Sequence, residues 1–275
     1  MRYLLMIAAL VLPTVGATAE TPCTETAPCQ VEGGDYLLSF PPDWDGVTAL
    51  PSLVFFHGHN ASAVSTVRSG GVRRSFVDRG YLLIAPNGAQ RASGVRSFPA
   101  RPGFGGGRND IAFTMSILED VAKRVPLDKA RVAVSGFSAG GSMAWMMGCY
   151  AGSHFSAVLS VAGALRRENP SLCPDPVARG LQVHGFADAQ VPHEGRAIRD
   201  WHQGDVHETM ALMRRSLGCR SNPTAINVGT WRSRVWDRCE RGNLAYLEHD
   251  GGHGLPRGWS DIAREWLETG TLTHE

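Results

Sequence analysis

The sequence predicts an α/β chain with a mostly parallel sheet and helices on both faces. Three observations carry that expectation. Short apolar, β-branched runs alternate with longer segments of helical character, the pattern of strands joined by crossover helices. Glycine makes up 32 of 275 residues, which suits a fold with many tight strand-to-helix turns. Apolar residues reach 43% and charged residues 19%, enough for one sizeable core and unlike a disordered chain. The net charge of +1 gives no electrostatic reason to expect nucleic acid or an anionic membrane as partner.

The first residues read as a separate object. Arg2 is followed by an apolar run, Leu4 to Leu12, and by the small-x-small stretch Ala17-Thr18-Ala19. That pattern predicts a signal peptide over 1–19, one domain over 20–275, and a secreted or periplasmic protein. The run is too short to cross a bilayer, and no second long apolar stretch follows, so no membrane span is expected. Six cysteines remain after cleavage, an even count that suits disulfides in an oxidising compartment. Six allow 15 connectivities. The simplest pairs sequence neighbours: Cys23–Cys29, Cys149–Cys173 and Cys219–Cys239.

Taken in order, Tyr36 to Phe40 reads as a strand ended by Pro41-Pro42, and Ser52 to Phe56 as a second strand. A helix is expected over roughly Ala63 to Arg79, interrupted at Gly70-Gly71. Tyr81 to Ala85 reads as a strand. Arg91 to Arg108 is a long basic, Gly-rich loop without the Gly-Lys-Ser/Thr of a phosphate cradle, so a flexible site rim is expected. Asn109 or Asp110 can cap a helix to about Arg124, with Ile111, Met115, Leu118 and Ala122 along one face. Further strands are expected at Val132 to Val134, Ala157 to Val161, Leu181 to Gly185 and Leu244 to Glu248. The matching helices are Ser142 to Tyr150, Asp205 to Leu217 and Ser260 to Leu267.

Chemistry concentrates where the strand at Val132 meets the helix at Ser142. Gly136-Phe137-Ser138-Ala139-Gly140 is G-x-S-x-G in a strand–turn–helix setting. A serine on so tight a turn has strained backbone angles, and side chains two positions either side would collide with it. Ser138 is therefore the expected nucleophile, and the Ala139 N–H at the helix start an expected oxyanion donor. Such a serine needs a base, and the base an orienting acid. Both should follow strands, since catalytic groups gather beyond the strands' carboxyl ends. Asp188 follows the strand ending at Gly185. His253 follows the strand ending near Glu248, on the pliant loop Gly251-Gly252-His253-Gly254. The order Ser, Asp, His is that of α/β-hydrolases. His249 is the rival base; Asp175, Asp200 and Asp205 are rival acids. His57-Gly58-His59-Asn60 stands where the second oxyanion donor belongs, the His59 N–H or that of Asn60. No H-E-x-x-H or similar spacing appears, so neither metal nor cofactor is expected. Asn60, Trp44 and Phe104 are candidates to line the substrate pocket.

Phe56-His57-Gly58, the serine turn, Gly185-Phe186-Ala187-Asp188 and Gly251-Gly252-His253-Gly254-Leu255-Pro256 together resemble one family. It is that of secreted poly(3-hydroxybutyrate) depolymerases and feruloyl and acetylxylan esterases. The resemblance covers roughly Gly34 to Leu267. It implies the α/β-hydrolase fold, with Ser138, Asp188 and His253 as triad and His57 to Asn60 as oxyanion loop. It implies serine hydrolysis of carboxylic esters on a small ester or polymer-end substrate. It also sets Asp110 to Phe113 near the site and supports the Cys219–Cys239 pair. A peptidase or thioesterase with this triad, or a binding protein keeping the fold, are the competing readings.

Overall fold

The structure is a computed structural model that describes residues 23–100, 107–198, 201–220 and 222–272. The expected signal peptide, Phe104 and Asp200 lie outside the described residues. β1 (Cys29–Val31) and β2 (Gly34–Ser39) form an antiparallel hairpin, followed by β3 (Leu50–Phe56). The expected helix over 63–79 is divided into α1 (Ala63–Val67), α2 (Gly70–Ser75) and a 3-10 turn at Val77–Arg79. Ser62 and Ser65 close a capping box on α1, and the second piece starts at the glycine pair. β4 (Leu82–Pro86) leads to a small hairpin, β5 (Ala89–Gln90) with β6 (Arg96–Ser97), whose second strand falls inside the stretch Arg91 to Arg108 expected to be a bare loop.

α3 (Asp110–Arg124) is capped by the Asn109 side chain, and the long β7 (Leu127–Phe137) runs into α4 (Ala139–Tyr150). β8 (Ala157–Val161) and β9 (Arg179–Gly185) follow, then a hairpin of β10 (Arg196–Ile198) and β11 (Trp201–Gln203). α5 (Val206–Leu217), capped by Asp205, precedes β12 (Thr224–Val228) and β13 (Trp231–Trp236). β14 (Asn243–His249) and α6 (Trp259–Thr269) complete the fold.

Ten strands form one sheet in the order β1-β2-β4-β3-β7-β8-β9-β14-β13-β12. The central six, β4 to β14 in that order, pair in parallel, and an antiparallel hairpin closes each edge. Alternate strand residues feed opposite faces. Val54, Phe56, Val132 and Val134 pack with α3, α4 and α5, while Leu53, Phe55 and Ala133 pack with α1, α2 and α6. The chain thus has the α/β-hydrolase architecture, with β7 near the sheet's middle.

Two expectations need correction. The buried face of α3 is Phe113, Ile117 and Val121, whereas Ala122 is exposed and Ile111, Met115 and Leu118 only flank the core. Two apolar stripes run along this helix, and the one bearing the aromatic ring buries more area and wins. The β12–β13 hairpin was not foreseen, although Trp231, Ser233 and Val235 point inward and Arg232 and Arg234 outward. Its two-residue period is brief, and two outward arginines dilute it.

The three cysteine pairs are Cys23–Cys29, Cys149–Cys173 and Cys219–Cys239. The last ties the chain after α5 to the chain after β13 across 20 residues. Replacing both of its cysteines with alanine is expected to lower stability by about 3 kcal/mol through the entropy of the opened loop. Denaturant melts check it, and an unchanged midpoint would show that packing alone holds the hairpin.

Candidate active site

Residue 138 sits at the joint of β7 and α4 with φ 57° and ψ −119°, outside the ordinary regions for a side-chain-bearing residue. The surrounding packing forces this bend. A Cβ at Gly140 would meet the Phe56 carbonyl oxygen at 1.9 Å, and one at Gly136 would meet the Gly140 carbonyl oxygen at 2.3 Å. The sharp turn and two bare backbones let β7, β3 and α4 close on one another, with Ser138 projecting from the apex. Its own N–H donates to the Val161 carbonyl at 2.9 Å, so the bend is tied to β8.

The structure brings the three expected side chains into one relay. His253 Nε2 lies 2.9 Å from Ser138 Oγ, and His253 Nδ1 lies 2.8 Å from Asp188 Oδ2. A carboxylate can only accept, so Nδ1 carries the proton and Nε2 is left to accept from the serine hydroxyl. The Asp188 side chain is fully buried, and its Oδ1 accepts from the Gln190 and Val191 amides at 2.9 and 2.8 Å. Burial pushes its pKa up, but the His253 hydrogen bond, the Val191 amide and the nearby imidazoles outweigh it and hold the carboxyl below its usual range. Two backbone bonds strap the acid and base loops together: Phe186 N–H to the His249 carbonyl and Ala187 N–H to the Gly251 carbonyl.

The rivals are occupied elsewhere. His249 accepts from the Gly251 amide and packs its ring against Trp231. Asp205 caps α5, and Asp175 accepts from Ser153. Ala139, as the first residue of α4, has an N–H with no acceptor inside its helix, and it lines the cleft together with His59 and Ser138. The Asn60 amide is different. It donates to the Arg96 carbonyl at 2.8 Å, and Asn60 is not among the described cleft-lining residues, whereas His59 is. Trp44 also lies away from the site. Its ring stacks on Phe40 and its Nε1 donates to Thr48, beside Leu50 at the start of β3. Trp44 buries its ring against an aromatic neighbour near the opposite end of the strands.

Two buried histidines brace the site. His57 Nδ1 donates to the Gly58 carbonyl while its Nε2 accepts from the Gly88 amide. His184 Nε2 donates to the Val191 carbonyl, and its Nδ1 accepts from Gln182, which in turn accepts from the Trp145 indole. This second network lies directly beneath Asp188 and was not anticipated. Only its position two residues past Gln182 on an inward-facing register could have suggested it. Each ring uses one nitrogen as an acceptor, so each is neutral; burial pushes both down from 6.5 to about 4.

That depression sets a pH dependence. Between those values the unfolded chain binds more protons than the folded one, so stability rises with pH there. The contribution is complete above about pH 6.5 and is lost as pH falls toward 4. At about 1.4 kcal/mol per unit and ring, the loss amounts to several kcal/mol. Thermal melts between pH 7.5 and 4 are expected to show a falling Tm; a flat profile would mean that the fold does not hold these rings neutral.

The cleft beside Ser138 encloses about 380 Å³. Its walls include Ser97, Gln190, Val191, Ile198 and Gln203, together with Arg91, Arg166 and Arg196. The arginines escaped the sequence reading because they come from three separate segments that only the fold assembles. Asp110, expected near the site, is buried and paired with Arg108 at 2.6 Å. Among the described residues no group of three or more metal-binding side chains converges.

Comparison with known proteins gives a consistent neighbourhood. The BD-FAE family model matches residues 45–168. The chain is 25% identical over 243 residues to probable feruloyl esterase C of Aspergillus niger, covering 83% of this chain and 80% of that one. It is 27% identical over 242 residues to feruloyl esterase C of Emericella nidulans, with 83% and 80% covered. Among solved structures, a Bacillus cereus carboxylesterase superposes with a TM-score of 0.59 at 15% identity, covering 86% of this chain and 95% of that one. An esterase named PE8 superposes at 0.54 and 19%, covering 84% and 96%.

Proposed function

We propose that this chain, a carboxylic ester hydrolase related to the feruloyl esterases, works as an exported serine esterase through an acyl-enzyme on Ser138. The observation that carries the reading is the unbroken relay from Ser138 Oγ through His253 to the buried Asp188. In the first half-reaction Ser138 Oγ attacks the ester carbonyl carbon, and His253 Nε2 takes the hydroxyl proton. The carbonyl oxygen gains charge and receives hydrogen bonds from the Ala139 and His59 amides, each such donor worth about 2.7–4 kcal/mol of barrier. Collapse breaks the C–O bond to the alcohol, which leaves with the proton from His253. Water then attacks the acyl carbon as His253 takes its proton, and collapse breaks the bond to Ser138 Oγ, which recovers the proton from His253 as the acid leaves.

The substrates in view are feruloyl or acetyl esters of polysaccharides, or hydroxyalkanoate esters. Export rests on the three disulfides, which form in oxidising compartments, and on the leader-like residues 1–19. The protein recovered from an exporting host is expected to begin near Glu20 as one catalytic domain. The test of the mechanism is a fluorophosphonate probe followed by peptide mapping. Label on the peptide bearing Ser138 is expected; label elsewhere, or none, would refute the assignment.

A further inference from the structure

The walls of the catalytic cleft do not match the rest of the molecule in charge. The whole chain carries a net charge of only +1, yet Arg91, Arg166 and Arg196 all line this one cleft and no Asp or Glu is among its described lining residues. Neighbouring arginines are compensated. Arg96 faces Asp35 at 3.8 Å, and Arg108 pairs with Asp110 at 2.6 Å. Neither Arg91 nor Arg196 forms an ion pair with any described carboxylate. Arg196 is nonetheless held in place, its Nε donating to the Gln190 carbonyl at 2.9 Å. Arg166 is anchored from behind by the Phe98 and Pro99 carbonyls. Burial pushes its pKa down to about 10, and the charge of Arg91 pushes the same way, against the weaker pull of the Asp110 carboxylate. Cations that repel one another beside a nucleophile, Arg166 buried and Arg91 and Arg196 at the exposed rim, form a surface to which an anion is complementary, while an apolar acyl group would cover them without return.

The geometry also says which part of the ester enters. The alcohol oxygen must take its proton from His253 Nε2, so the alcohol lies on the His253 side. The described lining of the cleft includes Ser138 and the two expected oxyanion residues, Ala139 and His59, but not His253. The cleft therefore receives the acyl group. We infer that the preferred substrate is an ester whose acyl group itself bears a carboxylate, held by Arg91 and Arg196 above the anchored Arg166. This rests on Ser138 being the nucleophile and narrows the substrate class, because neutral feruloyl and acetyl esters then become the poorer substrates.

The test compares p-nitrophenyl hydrogen adipate with the same ester capped as its methyl ester. At low salt kcat/KM is expected to favour the anion by about tenfold or more, the scale of one charge-assisted hydrogen bond. Raising the salt should shrink that preference. The double variant Arg91→Gln/Arg196→Gln should bring the ratio close to one, and Arg91→Glu/Arg196→Glu should invert it. Arg220→Gln, on an exposed arginine paired with Glu240 far along the chain, should leave the ratio as it was. Equal rates for the two esters in the natural protein would overturn the inference. So would a preference that arises only when the carboxylate is moved to the alcohol. Calorimetry on Ser138→Ala with monomethyl and dimethyl adipate reads the same selection without turnover. Tighter binding of the monoanion there, with no ester hydrolysed by the natural protein, would leave the charge selection standing and remove the nucleophile assignment; no discrimination there would overturn the inference whatever the turnover.

Discussion

Replacing Ser138 with alanine is expected to lower turnover of a short-chain aryl ester by about six orders of magnitude, the scale seen when a triad nucleophile is removed. The substitution deletes one oxygen and little else. The residue's N–H bond to Val161 and its carbonyl bond from the Ser142 amide are both backbone interactions and survive. Alanine tolerates the φ of 57° about as poorly as serine does, so the strain is carried over unchanged. The melting temperature should accordingly move little. Loss of activity with an intact melt assigns chemistry to the hydroxyl. Retained turnover, measured against a preparation checked for contaminating esterases, would mean that some other group attacks.

Much of the fold that positions this hydroxyl was legible in the sequence, for identifiable reasons. The parallel strands are buried on both faces and so read as continuous apolar runs, as at Leu53 to Phe56 and Ala157 to Val161. The serine turn was legible because steric demand leaves little choice at Gly136 and Gly140. Asp188 and His253 could be singled out because each follows a strand and the chain order was constrained. What stayed hidden was set by long-range assembly. Trp44 looked like a pocket aromatic, but nothing in its neighbours' identity tells which end of the sheet it occupies. Asn60 looked like a second donor until the β5–β6 hairpin brought the Arg96 carbonyl to its amide. His184 and Gln182 sit within an ordinary inward-facing strand, and only the fold reveals that they support the acid loop. The arginines of the cleft come from residues 91, 166 and 196, and sequence distance gave no hint that they meet.

Changing Asp188 to asparagine is expected to lower kcat by about four orders of magnitude while leaving the fold almost unperturbed. The isosteric amide can keep its Oδ1 as acceptor for the Gln190 and Val191 amides, so the loop retains both anchors. Its Nδ2 then faces His253 Nδ1 and donates where the carboxylate accepted. The imidazole must answer by placing its proton on Nε2. A protonated Nε2 cannot take the hydroxyl proton of Ser138, although it still lies 2.9 Å away. Asp188→Ala would confuse the result, because it would leave the buried Val191 amide without an acceptor, at about 1–3 kcal/mol in stability, and remove that of the part-buried Gln190 amide as well. The asparagine variant separates those effects: geometry is conserved and only the tautomer and the charge change. Its expected signature is a collapse of kcat, a KM close to that of the parent, and disappearance of the downfield proton resonance of the Nδ1–H bond. A loss of less than about tenfold would show that His253 finds its working tautomer without the carboxylate. The 2.8 Å contact between them would then be a structural tether and not part of the chemistry.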